Sequence, residues 1–482
     1  MPTQGGNVDE RLRIGLNALP KFVTYADLRY IEYEKEEIII KNGKVEKINR
    51  KIDSGIGIRC IADGAWGFAA TSKDDQQAIT TTVLTAAEVA RASALTKIKD
   101  VLLSEKKPTS GKFINQVKKN PFNLTIEEKI GYLIECDRLI RSVKGINISE
   151  CWLNAWRERK CYADSEGSDI EQNFIGIWFL IRATAIRGNE MQWRTYPELM
   201  GQGLNCGWEL IEELNPLGQC ERIGEEAVAL LDAKPCPNEF TDLILAPAAV
   251  AIFIHESVGH PTELDRVLGT EANFAGTSHL TIDKLNKFKF GSELITIVAD
   301  ATVPKGIGSF WFDDEGIPGQ RTELIKDGIF TGYQSSRETS VILQQGSNGT
   351  MRAERWCHIP LVRMTNINLE PGKGTLEEIM SDTDGYLLDG FKSVSIDDRR
   401  LNFSLGTEIG WRIKNGKKIE MIRNPVVSGI TTDYWQSCDF VGGKESWVLY
   451  GLPSCGKGEP QQVMKVGHGA PPVRFKNVKL GV

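Results

Sequence analysis

Residues 243–254, LILAPAAVAIFI, are the longest apolar run in the chain, and they lead directly into a polar hexapeptide, HESVGH (255–260). The run includes Pro247 and stops well short of the roughly 20 residues that a membrane-crossing helix needs. It reads as protein interior. LILAP (243–247) is expected to be a buried strand, and AAVAIFIHESVGH (248–260) a largely buried helix. Any fold that accepts this segment carries two imidazoles and a carboxylate inward with it. Buried polar groups beside so apolar a surface need partners, and a metal ion is one such partner.

The spacing of the histidines is unusual for that purpose. In a regular helix residues turn by about 100° each, so positions four apart lie about 40° from one another and can share an ion. His255 and His260 are five apart, about 140° by the same arithmetic, and face different sides. Two local devices repair this. A π-bulge closes i→i+5 and realigns such positions. Alternatively the helix ends: Gly259 turns left-handed, and Pro261 biases His260 away from the α region, so that His260 swings back. The sequence supplies the residues for the second device and leaves the first open.

Two histidines need a third ligand. The candidates are Glu263, Asp265, His279, Cys357, His358, Cys455 and His468. Glu263 is equally suited to orienting a histidine from behind. Cys455 sits in LPSCGKGEPQQ (452–462), which reads as a glycine- and proline-rich loop able to present a thiolate, and His468 is the spare ligand. The residues alone do not choose among them.

The rest of the chain predicts an α+β protein. A mixed α/β N-terminal region is followed by a sheet-rich C-terminal domain that carries the metal-site helix. YADLRYIEY (25–33) and EEIIIKNGKVEKINRK (36–51) read as strands, the latter a hairpin at Asn42-Gly43; further hairpins are expected at Asp63-Gly64, Asp327-Gly328 and Asn415-Gly416. Helices are expected over 74–95, from Thr125 with Glu128 three later, and as two short pieces within 205–232. Residues 98–121 read as a linker, and AKPCPNEFTD (233–242) as a boundary. The predicted domains are 1–235, with lobes of about 1–110 and 116–235, and 236–482.

Composition removes several function classes. The net charge of −6, from 58 basic and 64 acidic residues, gives no reason to expect a nucleic-acid partner. The N-terminal residues contain no apolar signal segment and no run is long enough for a membrane, so a cytoplasmic protein is expected. Ten scattered cysteines with no CxxC pair suggest reduced thiols. The glycines of CGKGEP lack the GxxxxGK[ST] spacing of a phosphate loop.

HESVGHPTELD resembles the HExxxH signature of the TldD/PmbA family of metalloproteases. DGAWGFAAT (63–71), GSFWFDDEGIPGQRTELIKDGIFTGY (308–333), RMTN (363–366) and CGKGEPQQ (455–462) resemble further family landmarks in the same order. The resemblance spans roughly residues 25 to 475. It implies a zinc ion bound by His255, His260 and Cys455, with Glu256 as catalytic base for a zinc-bound water that attacks peptide bonds. Three protein ligands leave a fourth position open, the catalytic pattern. The resemblance also implies a TldD-type catalytic member, a homodimer or a heterodimer with a related subunit, and an internal chamber admitting unfolded polypeptides or small peptides. The alternative is a catalytically silent scaffold subunit. Glu263, Asp313, Asp314 and Glu315 are carried as residues that support the ligands or line the substrate path.

Overall fold

The computed structural model describes residues 9–481. Four strands of 19 residues each, Val23–Lys41, Lys44–Ala62, Ile146–Asp164 and Asp169–Arg187, dominate the first sheet. It has eight strands and is antiparallel except for Ser110–Ile114, which runs parallel to Asp169–Arg187. Two-residue turns set its register. Asn42-Gly43 has φ of 48° and 77°, and Asp63-Gly64 has 49° and 75°. Left-handed backbone at both positions is the type I′ geometry, whose twist matches that of paired strands. Asp327-Gly328 and Asn415-Gly416 repeat it in the second half, so all four expected hairpin turns form.

The sequence reading is corrected in two places. Residues 25–33 and 36–41 belong to one continuous strand. The charged stretch between them stays in the sheet because Glu34 is paired with Arg50 and Arg157, and Glu36 with Lys129. The linker 98–121 contains the strand Ser110–Ile114, recruited by backbone pairing to 169–173 that composition does not report. The expected helices are present. Gln76–Ala94 is capped by Asp75, whose Oδ1 accepts from the Ala78 N–H at 2.9 Å. Ile126–Ser142 opens with the Thr125/Glu128 capping box. Glu209–Leu214 and Cys220–Leu230 are the two short helices.

The second half builds a ten-stranded sheet and a six-stranded sheet. The apolar run accounts for how they meet. Glu239–Leu245 is an interior strand of the larger sheet, and Pro247 occupies the first turn of the helix Pro247–Ile254, where its missing N–H costs nothing. Every residue from Ala248 to Ile254 is buried. The helix touches strands of both sheets and lies in the main core between them. Among the described residues no helix is long and apolar enough to cross a membrane.

Phe253 anchors this helix. Its ring stacks on Trp435 at a centroid distance of 4.9 Å and an interplanar angle of 9°, and meets Phe403 at 4.6 Å. Trp435 in turn donates to the Ser257 hydroxyl at 3.0 Å, inside the hexapeptide. Phe253→Ala is expected to cost about 3–5 kcal/mol, the usual price of an aromatic cavity. A urea titration of both proteins reads this as a lower midpoint with an unchanged slope.

Candidate metal centre

The helix does not end at the first histidine but widens. Residues His255–Gly259 form a π-turn, closed by the His260 N–H donating to the His255 carbonyl at 3.1 Å. This is the first of the two devices. Gly259 is not left-handed, and His260 stays in the α region at φ −66°, ψ −44°. Pro261 is tolerated because the chain needs no donor there: the next N–H, that of Thr262, returns to the Val258 carbonyl at 3.2 Å. What Gly259 supplies is space, since a Cβ would meet the Met364 Sδ at 2.2 Å. The wide turn sets the two imidazoles edge to face, with centroids 4.9 Å apart at 89°.

Cys455 completes the group. It lies on the strand Val448–Lys457 rather than in the expected loop, just after an irregularity in pairing between Leu452 and Cys455. Such irregularities re-aim a side chain, and here the Sγ comes to 3.7 Å from His260 Nε2. One donor atom from each of His255, His260 and Cys455 lies within 4.8 Å of the others, and all three residues are buried. It is the one such group of three or more among the described residues. Burial alone pushes the Cys455 thiol up, but His260 and Arg363 outweigh it and hold the thiol below its ordinary range. Two imidazoles and a sulfur poised to ionise suit zinc, which favours nitrogen and sulfur donors.

Both imidazoles are met from behind. Glu263 Oε2 accepts from His260 Nδ1 at 3.0 Å, so Nε2 faces the sulfur. Burial opposes charge on Glu263, yet Lys457, His260 and Arg266 hold its carboxyl well below the usual carboxylate range. Lys457 is itself fully buried and donates to Asp265 Oδ1 at 2.7 Å and to the Val362 carbonyl at 2.6 Å. Asp265 is thereby committed to Lys457. His468 is not among the grouped donors; its Nε2 lies 2.7 Å from His255 Nδ1.

Glu256 follows His255 on the same turn and remains partly exposed. Arg400 Nη1 approaches its Oε2 at 3.0 Å. Burial works against the Glu256 charge, but His255, His260 and Arg400 prevail and keep it ionised. Arg400 reaches it from a turn in left-handed backbone, φ 61°, a conformation that costs a non-glycine residue about 1–3 kcal/mol. Sequence reasoning missed Arg400, which carries no local signature. It also missed Lys457 and Arg363, although Lys457 stands inside the quoted CGKGEPQQ stretch.

The remaining candidates lie elsewhere. Cys357 is exposed beside His358, whose carbonyl accepts from Arg29. Asp313, Asp314 and Glu315 are buried, and the last two tie the first sheet to the second half. Asp313 accepts from the backbone N–H groups of Glu315, Ile317 and Met351. Asp314 takes Lys160 and the Ala353 N–H, and Glu315 takes Arg59 and the Arg337 N–H. Asp313 and Asp314 also line a cavity between the two halves, with Lys160, Trp156 and Arg352.

His279 is buried against Phe290, its Nδ1 at 3.1 Å from the Arg399 carbonyl and its Nε2 without a partner. Burial pulls it down from 6.5 to about 4. A depressed histidine favours the neutral folded state, so its contribution is complete above pH 6.5 and is lost as pH falls through 4. At about 1.4 kcal/mol per unit, this one site removes up to about 3 kcal/mol. His279→Phe is expected to flatten the acid limb of a stability curve measured by denaturant between pH 7 and 4.

Three family models match the chain: PmbA/TldA metallopeptidase domain 1 over residues 26–94, the central domain over 119–232 and the C-terminal domain over 238–482. A metalloprotease of Methanocaldococcus jannaschii is 31% identical over 451 residues, which is 93% of this chain and 95% of that protein. Among solved structures, TldE from Thermococcus kodakarensis matches with a TM-score of 0.74 at 20% identity, covering 98% of this chain and 99% of its own. A Thermotoga maritima protein, named for a conjectured role as modulator of a DNA gyrase, matches at 0.76 and 17%, covering 95% and 96%. At these identities the two structures speak for the fold alone.

Proposed function

The chain belongs to the PmbA/TldD metallopeptidase family, and from that premise we propose that it is a zinc-dependent, TldD-type peptidase. In this reading it hydrolyses peptide bonds in unfolded polypeptides or small peptides. The observation that carries it is the convergence of His255, His260 and Cys455 beside an ionised, partly exposed Glu256. His255, His260 and Cys455 are the residues that would hold zinc. When bound, zinc supplies a Lewis acid that polarises the substrate carbonyl and lowers the pKa of water. Glu256 takes the proton of the attacking water at a carboxylate oxygen and delivers it to the leaving amine nitrogen. Arg400 fixes that carboxylate in position, and Glu263 keeps the His260 ring turned.

A groove of about 790 Å³, lined by neither the three donors nor Glu256, is the surface to which we assign an extended substrate. It runs between the edge strand Ala65–Thr71 and the short strand Leu361–Val362, reaches Asp265, and presents Phe68, Val89, Leu268, Ile342 and Ile359. Unpaired strand edges accept a peptide through its main chain, which favours broad sequence tolerance. We assign catalysis to residues 236–482, and substrate binding to 1–235 together with the residues of the second half that share the groove. Zinc, the cytoplasm and a dimer, with a second copy or a related subunit, belong to the same proposal. Ten unpaired cysteines are in keeping with a reducing compartment.

The test is zinc content together with hydrolysis. Protein purified without chelators is expected to hold about one zinc per chain and to cleave an unfolded polypeptide, with both properties lost to a chelator and restored by zinc. A chain that holds only trace metal and cleaves nothing would instead be a silent scaffold subunit.

A further inference from the structure

Each of the two imidazoles has a partner at Nδ1, and the partners differ in kind. His260 meets the Glu263 carboxylate at 3.0 Å, whereas His255 meets the Nε2 of another imidazole, His468, at 2.7 Å. Both rings of the second pair are buried, His255 at 3% exposure and His468 at 0%, and they pack edge to face with centroids 4.7 Å apart at 80°. His468 comes from the strand Gln462–Ala470, the partner of the strand that carries Cys455.

Resting on the reading of His255 as a metal ligand, we propose that His468 is its positioning residue. One proton lies between the two nitrogens, and its location decides what His255 can do. If His468 Nε2 donates it, His255 carries its own hydrogen on Nε2 and has no lone pair to offer there. If His255 Nδ1 donates it, His255 Nε2 is a free donor and His468 is the acceptor. The second arrangement is the one that makes His255 a ligand, and it puts the remaining His468 hydrogen on Nδ1. The hydrogen on that nitrogen has the Ile367 backbone carbonyl, from the paired strand, as its acceptor, at poorer geometry than a regular hydrogen bond.

The local charges explain why the acceptor is neutral. Glu263 is tolerated because Lys457 and Arg266 face it. The groups that act on His468 are His255, the Ile367 backbone carbonyl and His260, with no lysine or arginine among them. A carboxylate in its place would be a buried charge without a counterion, which is strongly unfavourable.

The experiment measures zinc affinity by competition with a chromogenic chelator for the wild-type chain, His468→Leu and His468→Gln. Visible spectra of the cobalt-substituted proteins and thermal melts of the metal-free proteins accompany it. Leucine removes the acceptor and is expected to weaken zinc about 10- to 100-fold, as the loss of such outer partners does elsewhere, and to alter the cobalt bands. Glutamine restores a neutral acceptor and is expected to recover most of the affinity. Wild-type affinity and spectrum in His468→Leu would overturn the proposal and leave the zinc reading intact, as would equal losses in both variants with unchanged melts. A wild-type chain that binds no zinc would remove both.

Discussion

Glu256→Gln is expected to abolish measurable peptide hydrolysis while zinc content stays at the wild-type level. The substitution keeps the side chain's shape and removes its capacity to take a proton. A positioned general base contributes about 10²–10⁴-fold, and the loss should appear in kcat. The structure gives a reason to expect clean separation of the two properties. Glu256 is not in the group of converging donors, and among the described residues its side chain pairs with Arg400, 3.0 Å away on a different turn. Metal analysis and a single-turnover assay on an unfolded polypeptide check this. Full activity in Glu256→Gln would remove this residue from the chemistry; loss of zinc would make it a ligand or a support.

The complementary variant, Cys455→Ala, should lose the metal itself. Loss of an outer partner weakens zinc about 10- to 100-fold elsewhere, so deletion of a donor atom should cost more than about 100-fold. Stability should follow, because a ligand bound only by the folded state stabilises it by about 4 kcal/mol at a thousandfold excess over its Kd. The wild-type protein should therefore melt at a lower temperature in chelator, and Cys455→Ala should melt at the same temperature with and without chelator. A chelator-sensitive melt in Cys455→Ala would show that the sulfur is dispensable.

Much of this was legible in the residues. The hairpins declared themselves through Asn-Gly and Asp-Gly pairs, because few other dipeptides place both residues in left-handed backbone. Helices with a capping signal, such as Ile126–Ser142, were equally plain. Segments held by distant pairing were not: Ser110–Ile114 has linker composition and becomes a strand through residues 169–173. In the candidate site, the five-residue spacing raised the right question and left two answers open. What decided it was the continuation of hydrogen bonding through His260 to Thr262, a property of packing around the turn. Cys455 reads as a loop residue because glycines and prolines surround it, yet strand pairing to Met464 continues there. Arg400 was invisible because an arginine in a left-handed turn follows no local preference. The acidic triplet stands out in the sequence by its charge, and its main contacts are with Lys160, Arg59 and backbone N–H groups.

The π-turn also fixes how the hexapeptide can be altered. Deleting Ser257 would leave the histidines four apart, the spacing at which a regular helix aligns them unaided. Everything after the deletion would then be displaced by about 100° of rotation and 1.5 Å of rise. Glu263 and Asp265 would move together with His260 and turn away from Lys457, which pairs with both. The surplus residue thus works as a phase offset for the downstream chain, and a shortened motif could be reconciled with this scaffold only by a compensating insertion before Glu263.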